Sequence, residues 1–141
     1  MFAIMMEGRQ KHVLLIDDSE AIQALVRHSL QAEELQLWTV GNESDACAMV
    51  QKRNFDLILL DIELERANGF EVLAKINGLL RKDDRFVPPI LALSGHDADD
   101  FGIKVLQAGF IGRIRKPFVG ADLRRIVRMH LLRTNVEFAE Q

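Results

Sequence analysis

Four short runs of apolar residues, each leading to a polar residue, dominate the pattern of the chain. They are Val13–Ile16 before Asp17 and Asp18, Leu57–Leu60 before Asp61, Ile90–Leu93 before Ser94, and a weaker run before Lys116 and Pro117. Apolar runs of about four to eight residues bounded by polar ones are typical of strands buried on both faces of a parallel sheet. The carboxyl ends of such strands form the crevice where ligands bind. The pattern therefore predicts that three carboxylates, one hydroxyl and one ammonium group lie close together.

Strand and helix patterns alternate five times along the chain. The strands are predicted at His12–Asp17, Leu35–Val40, Asp56–Asp61, Ile90–Leu93 and Phe110–Ile114. The helices are predicted after Ser19 as N-cap, at Glu43–Arg53, from near Phe70, at Ala98–Ala108 and at Asp122–Leu132. Regular alternation with short loops predicts an α/β fold with right-handed crossovers and helices on both faces of one parallel sheet.

Length and composition indicate an ordinary soluble domain. The 141 residues fit one domain, and 48% hydrophobic with 28% charged residues is usual for a globular protein. We expect residues 11–132 to form that domain, with 1–10 as an N-terminal extension and 133–141 as a frayed C-terminal tail. The single cysteine excludes an internal disulfide. No apolar stretch approaches the roughly 18 residues of a membrane span, so a cytoplasmic location is the default expectation.

Charge is distributed unevenly along the chain. The formal net charge of -3 argues against direct, non-specific binding to nucleic acid. Between Ile111 and Arg133, however, seven basic side chains are opposed by one acid, Asp122. This segment is either a solvated helix face or a docking surface for an acidic partner or a symmetry mate. Since exposed ion pairs contribute only about 0–1 kcal/mol each, we expect a monomer or a weak, salt-sensitive homodimer.

Three neighbouring carboxylates repel one another and at neutral pH require a cation or raised pKa values. Mg²⁺ suits them because it prefers oxygen ligands and binds a few carboxylates together with a phosphate. Lys116 adds a positive charge and Ser94 a hydroxyl donor, both suited to phosphoryl oxygens. A carboxylate, a divalent cation, a lysine and a hydroxyl around one point are typical of a phosphoryl-transfer site, with an aspartate as nucleophile.

The chain resembles a two-component response regulator receiver domain over about residues 11–132. The matching pieces are Leu-Leu-Ile-Asp-Asp-Ser (14–19), Asp-Leu-Ile-Leu-Leu-Asp (56–61), Asn-Gly-Phe-Glu (68–71), Ile-Leu-Ala-Leu-Ser-Gly (90–95), Ala-Gly (108–109) and Lys-Pro-Phe (116–118). The resemblance implies a flavodoxin-like, doubly wound sheet of five parallel strands in the order 2-1-3-4-5, with five helices. It also implies a signalling module, not an enzyme in the usual sense, that assists its own phosphorylation and dephosphorylation.

The same resemblance assigns roles to individual residues. Asp61 would accept a phosphoryl group from a phosphohistidine on a histidine kinase or a histidine phosphotransfer protein. Asp18 would bind Mg²⁺ directly, Asp17 largely through water, and the main-chain carbonyl of Glu63 would be a further ligand beside Asp61. Ser94 and Lys116 would hold the phosphoryl oxygens, and Lys116-Pro117 would be a cis peptide bond. The output would be partner binding without an attached output domain.

The chain departs from the family pattern in three respects, which involve four positions. Arg113 stands where the family usually has an aromatic residue that rotates inward on activation, and we expect Arg113 to stay solvent-facing. Glu65 stands where the family often has proline, which is expected to loosen the loop after Asp61. Glu63 and His96 flank the site, where they are expected to affect the lifetime of the acyl phosphate.

The family's usual response face, formed by helix four, strand five and helix five, has an unusual charge pattern in this chain. We expect it to carry acids and a lysine on one side and four arginines on the other: Asp99, Asp100, Lys104, Arg113, Arg124, Arg125 and Arg128. Opposite charges on adjacent helices can pair across a two-fold axis. This face is therefore the predicted partner or dimer surface.

Other functions fit parts of the pattern. A pseudo-receiver would keep the fold as an interaction module that does not depend on phosphorylation; Arg113 favours it, and the complete acidic, serine and lysine set opposes it. An Mg²⁺-dependent phosphohydrolase is suggested by Asp61-Ile62-Glu63, but such enzymes do not place their acid pair on a separate strand. A flavodoxin would need a Ser/Thr-rich phosphate loop after the first strand, where Asp17 and Asp18 would instead repel phosphate.

Overall fold

The computed structural model describes residues 10–95 and 101–140, in which five strands alternate with five helices. The strands are β1 Lys11–Ile16, β2 Leu35–Val40, β3 Leu57–Asp61, β4 Ile90–Ser94 and β5 Gly112–Arg115. They form one parallel sheet in the order β2-β1-β3-β4-β5, as predicted. In its register Ile16 pairs with Leu60, and Asp61 pairs with Leu93. The carboxyl ends of the three central strands therefore end at one edge of the sheet.

The helices are α1 Glu20–Leu30, α2 Glu43–Lys52, α3 Gly69–Lys82, α4 Phe101–Ala108 and α5 Gly120–Glu140. Three of them begin at a polar side chain that accepts a hydrogen bond from the first turn, as N-caps do. Ser19 caps α1 through the N–H of Ile22 (3.2 Å), Asn42 caps α2 through that of Asp45 (2.8 Å), and Asn68 caps α3 through that of Phe70 (2.8 Å). Caps at these positions fix where each helix leaves the edge of the sheet that carries the acidic residues.

The chain after α4 differs from the prediction in the bounds of its elements. Phe110 donates its N–H to the Val105 carbonyl (3.2 Å), and Gly109 before it has a φ of 112°. A left-handed glycine is the usual end of a helix, so Phe110 belongs to the turn that closes α4 and β5 begins later. Helix α5 continues past its predicted end near Leu132 to Glu140, through residues that include neither Gly nor Pro. The predicted start of α4 at Ala98 lies outside the described residues.

The core consists of two apolar layers, one on each face of the sheet. Strand residues alternate between them because successive side chains point to opposite faces. One layer joins β1, β3 and β4 to helices α2, α3 and α4 and includes Leu14, Ile58, Leu60, Ala92, Val50, Ile76 and Val105. The other joins the same strands to α1 and α5 and includes Leu15, Leu57, Leu59, Leu93, Val26, Leu123 and Val127. Within the described part of the chain, no helix has the length and apolar character needed to cross a membrane.

The basic residues of the C-terminal segment do not share one face. The Arg128 guanidinium pairs with Glu33 at 2.7 Å, and Arg124 donates to the Ser29 carbonyl at 3.4 Å, so both contact α1 or the turn after it. The expectation that these two arginines lie on the response face is wrong. Arg113 is half-buried, with its guanidinium 5.6 Å from the centre of the Phe101 ring, which corrects the expectation that it faces solvent. Asp99 and Asp100 lie outside the described residues.

Candidate functional site

Three acidic side chains meet where β1 and β3 end. Asp17 and Asp18 follow β1 directly, and Asp61 is the last residue of β3. Each offers a carboxylate oxygen, and these oxygens lie within 4.8 Å of one another. Asp17 and Asp61 are buried, with 0% and 3% of their surface exposed, whereas Asp18 is exposed. The predicted clustering of the three carboxylates is present in the fold.

Lys116 reaches this cluster from the end of β5. Its ammonium group lies 2.9 Å from Asp17 Oδ2 and 3.4 Å from Asp61 Oδ2. Its main-chain N–H donates to the Ser94 carbonyl at 2.8 Å, and the Lys116-Pro117 peptide bond is cis, as the resemblance implied. The turn after β5 therefore aims the lysine side chain across β4 to the two buried carboxylates.

Burial raises one pKa value in the site and neighbouring charges raise a second. Burial raises the pKa of Asp61, and the neighbouring charge of Asp17 acts in the same direction; the hydrogen bond from the Glu63 N–H and the charge of Lys116 oppose the shift only in part. Burial alone would lower the pKa of Lys116, but its hydrogen bond with Asp17 and the charges of Asp17 and Asp61 outweigh that effect and raise it. The site thus favours a charged lysine and disfavours a second ionised buried carboxylate.

Main-chain N–H groups orient all three carboxylates. Asp17 Oδ1 accepts from the N–H of Ser19 at 2.9 Å, and Asp61 Oδ1 accepts from that of Glu63 at 2.9 Å. Asp18 Oδ2 accepts from the N–H of Glu65 at 2.7 Å. The first two bonds are local, two residues along the chain, while the third crosses from the loop after β3 to the end of β1.

The loop between β3 and α3 is anchored at several points. Ile62 and Leu64 are buried in the core, and Glu63 and Asn68 form an isolated antiparallel bridge. The Gly69 N–H donates to the Ile62 carbonyl at 2.9 Å, so closely that a Cβ on Gly69 would collide with the Ile62 backbone. The Glu65 N–H, which proline would lack, bonds the loop to Asp18, and the expectation that Glu65 in place of proline loosens the loop stays a prediction.

Ser94 ends β4 beside the cluster and is fully buried. Its hydroxyl donates to Glu63 Oε1 at 3.3 Å, so the Glu63 carboxylate lies against the hydroxyl that was predicted to bind a phosphoryl oxygen. His96, the other flanking residue named from the sequence, lies outside the described residues.

The residues present fit a hard divalent cation. The three clustered carboxylates of Asp17, Asp18 and Asp61 supply oxygen ligands of the kind that Mg²⁺ prefers, and the described members of the cluster include no His or Cys. In the part of the chain that the structure describes, a single ammonium group, that of Lys116, contacts both buried carboxylates, so the site has room for further positive charge. The Glu63 carbonyl as a ligand stays a prediction.

Sequence reasoning missed two parts of the site. The Glu65 N–H bond to Asp18 and the Glu63 carboxylate bond to Ser94 were not predicted, although Glu63 was named for its main-chain carbonyl and Glu65 for the missing proline. The absence of proline at position 65 permits a main-chain donor there but does not mark it as the partner of Asp18.

Comparison with known proteins gives one consistent result. The sequence model of the response regulator receiver domain matches residues 13–128. The alginate biosynthesis transcriptional regulatory protein AlgB of Pseudomonas aeruginosa is 31% identical over 119 residues, which are 82% of this chain and 25% of that protein. The transcription factor SKN7 of Candida albicans is 31% identical over 121 residues, 86% of this chain and 21% of that protein. The chain thus spans about a quarter or less of the length of these two relatives.

A solved structure agrees with the fold. The signal receiver domain of a Vibrio parahaemolyticus protein superposes with a TM-score of 0.83 at 25% identity, covering 94% of this chain and 98% of the other. The similarity thus extends over nearly all of that solved domain.

Proposed function

The chain belongs to the response regulator receiver domain family, the signalling modules of two-component systems, and from that membership we propose that Asp61 accepts a phosphoryl group in a phosphorelay. The donor would be a phosphohistidine of a histidine kinase or of a histidine phosphotransfer protein. The observation that carries the proposal is the position of Asp61, buried at a strand end between two further aspartates and Lys116.

Each residue of the site has a role in the proposed phosphoryl transfer. A carboxylate oxygen of Asp61 forms a bond to phosphorus while the bond from phosphorus to the donor nitrogen breaks, and that nitrogen leaves as a neutral imidazole after protonation. The product is an acyl phosphate. The Lys116 ammonium, 3.4 Å from Asp61 Oδ2, stabilises negative charge on a phosphoryl oxygen. The Ser94 hydroxyl donates to another oxygen once its bond to Glu63 opens.

Asp17, Asp18 and Asp61 would hold Mg²⁺, with the Glu63 carbonyl as a further ligand. The cation would neutralise charge on the phosphoryl oxygens when bound. Asp18 is the best placed direct ligand because it is exposed and only its Oδ2 is bonded to the loop. Both oxygens of Asp17 are already used, by Lys116 and by the N–H of Ser19, which supports a more indirect role.

The proposed output is binding to a partner protein, in the cytoplasm and without direct contact to nucleic acid. The chain covers about a quarter or less of AlgB and SKN7, so a receiver without an output domain stays a prediction. A monomer or weak homodimer also stays a prediction.

A pseudo-receiver is the second candidate, because Arg113 stands at the usual aromatic position and packs over Phe101. Intact-mass measurement after incubation with phosphoramidate and Mg²⁺ separates the two candidates. We expect one added phosphoryl group on the wild type, none on Asp61→Asn, and little on the wild type in excess chelator. An unmodified wild type would favour the pseudo-receiver, and equal modification of Asp61→Asn would show that another residue reacts.

A further inference from the structure

The Asp18 carboxylate is held by a donor that is far away in the chain. Its Oδ2 accepts from the Glu65 main-chain N–H at 2.7 Å, across 47 positions of sequence. Asp18 is exposed, and its partners in the cluster are two buried carboxylates within 4.8 Å. Mutual repulsion favours rotation of the exposed side chain out into water. The bond to the Glu65 N–H opposes that rotation.

The direction of the Glu65 N–H is set by the backbone of the anchored loop and does not depend on the Glu65 side chain. Leu64, the residue before it, is buried in the core, and Ile62 is buried as well. The bridge between Glu63 and Asn68 and the bond from the Gly69 N–H to Ile62 close the loop. Because the loop is fixed on both sides of Glu65, its N–H keeps its direction whichever side chain is present at this position.

The bond leaves Asp18 able to bind a cation. Asp18 Oδ2 is occupied by the N–H, while Asp18 Oδ1 makes no hydrogen bond to the residues whose side chains the structure describes. In contrast, Asp61 uses Oδ1 for the Glu63 N–H and Oδ2 for Lys116. A carboxylate with one oxygen anchored and one open is a pre-oriented monodentate ligand, the form in which Mg²⁺ usually takes a carboxylate.

We propose that the Glu65 main-chain N–H is a positioning group that holds Asp18 in the acidic cluster and so sets the affinity of the site for a divalent cation. The inference rests on the proposed function, because it takes Asp18 to be a metal ligand. Proline at this position could not supply the bond, since it has no N–H. The chain therefore has an orienting contact that receivers with proline at this position lack.

Two substitutions at one position separate the N–H from the side-chain charge. Glu65→Pro removes both, whereas Glu65→Gln removes only the charge and keeps the donor. Titration calorimetry with MgCl₂ is expected to give an affinity for Glu65→Gln within about threefold of the wild type, since the side chain is exposed. Glu65→Pro is expected to bind about tenfold more weakly than Glu65→Gln, as is usual when a group that orients a ligand is lost. Equal or tighter binding by Glu65→Pro overturns the proposal.

A second measurement needs no metal and no proline. In chelator, amide hydrogen exchange followed by NMR is expected to be slow at Glu65 in the wild type and at least about tenfold faster in Asp18→Ala. Equal exchange in the two proteins overturns the proposal even if Glu65→Pro fails to fold. If the wild type binds no Mg²⁺, the proposed metal site fails together with this inference. If the wild type binds Mg²⁺ and Glu65→Pro matches Glu65→Gln, only the inference fails.

Discussion

Lys116 and Asp17 are 99 residues apart in the chain, yet the Lys116 ammonium group donates to Asp17 Oδ2 over 2.9 Å. Asp17 is fully buried, and a buried carboxylate is stable only when it is paired or hydrogen-bonded. The same ammonium group lies 3.4 Å from Asp61 Oδ2. Lys116 is therefore the counter-ion for two buried carboxylates when no metal is bound.

Replacing Lys116 by alanine is expected to lower the free energy of unfolding in chelator by about 1–3 kcal/mol, because it leaves two buried carboxylates without their cation. Mg²⁺ should restore more of the lost stability in the variant than it adds to the wild type. Urea unfolding with and without Mg²⁺ measures both effects. Lys75→Ala, which removes an exposed ion pair with Glu43, is the control and should cost less. Equal losses of unfolding free energy in the two variants would contradict the role of Lys116 as a counter-ion.

Asp61→Asn is expected to stabilise the metal-free protein at pH 7 by an amount on the order of 1 kcal/mol. Burial raises the pKa of Asp61 in the folded state, so folding favours the protonated acid. Asp61 therefore stabilises the folded state fully below its ordinary pKa of about 3.9. This contribution is lost as the pH rises through the raised pKa of the folded state. The advantage of Asn should therefore shrink as the pH falls towards 4. Urea unfolding at pH 7 and at pH 4 tests this. A difference in the free energy of unfolding between Asp61→Asn and the wild type that does not change with pH would refute it.

Glu63→Ala is expected to speed phosphorylation by a small donor several-fold. The substitution removes the Glu63 Oε1 atom, which accepts from the Ser94 hydroxyl, and removes a negative charge that repels the anionic donor. Initial rates with phosphoramidate at fixed Mg²⁺, measured by intact mass, give the comparison. Glu65→Gln is the matched control, since it removes an equal charge from the same loop without contact to Ser94. A rate that stays the same, or the same gain in the control, would show that the Ser94 contact does not limit the reaction.

Two glycines of α3 should respond in opposite ways to alanine. A Cβ at Gly69 would collide with the Ile62 Cα and lie 2.9 Å from the Asp61 carbonyl, so Gly69→Ala is expected to cost at least about 2 kcal/mol. Gly78 lies inside the same helix with open space around its Cβ position, so Gly78→Ala should add about 0.5–1 kcal/mol. Thermal unfolding of the two variants gives the comparison. Similar effects at both positions would mean that the loop adjusts to the added methyl group.

The features predicted best from sequence are those that depend on apolar patterning. The runs before Asp17, Asp61 and Ser94 are fully buried strands, and their positions at the strand ends place the acids together. Continuous apolar runs predict this because a strand in the centre of a parallel sheet is buried on both faces and its side chains alternate between them. The N-cap at Ser19 was predicted as well, because a serine hydroxyl can accept a hydrogen bond from the first turn of a helix.

Contacts between a main-chain donor and a distant side chain, and the partners of individual arginines, were not accessible from the sequence. Every residue except proline has an N–H, so nothing in the sequence marks the Glu65 N–H as the one that reaches Asp18. Arginine side chains are long and flexible, and whether Arg128 turns to Glu33 or to another partner depends on the packing angle of α5 on α1. Arg113 stacks on Phe101 for a similar reason, which charge counting alone does not anticipate.

The two apolar layers share their strands, because Leu14 and Leu15, or Leu59 and Leu60, are neighbours that face opposite sides of the sheet. Helices α2, α3 and α4 cover one face of these strands, and α1 and α5 cover the other. Detaching α1 and α5 would therefore expose strands that also form the first layer. Neither layer can therefore melt while the other keeps its full contacts, and thermal unfolding should follow a single cooperative transition. Substitutions at the acidic edge would then move the midpoint of that one transition, so the melting temperature of the whole domain reports directly on charge, metal and phosphoryl occupancy at the end of the sheet.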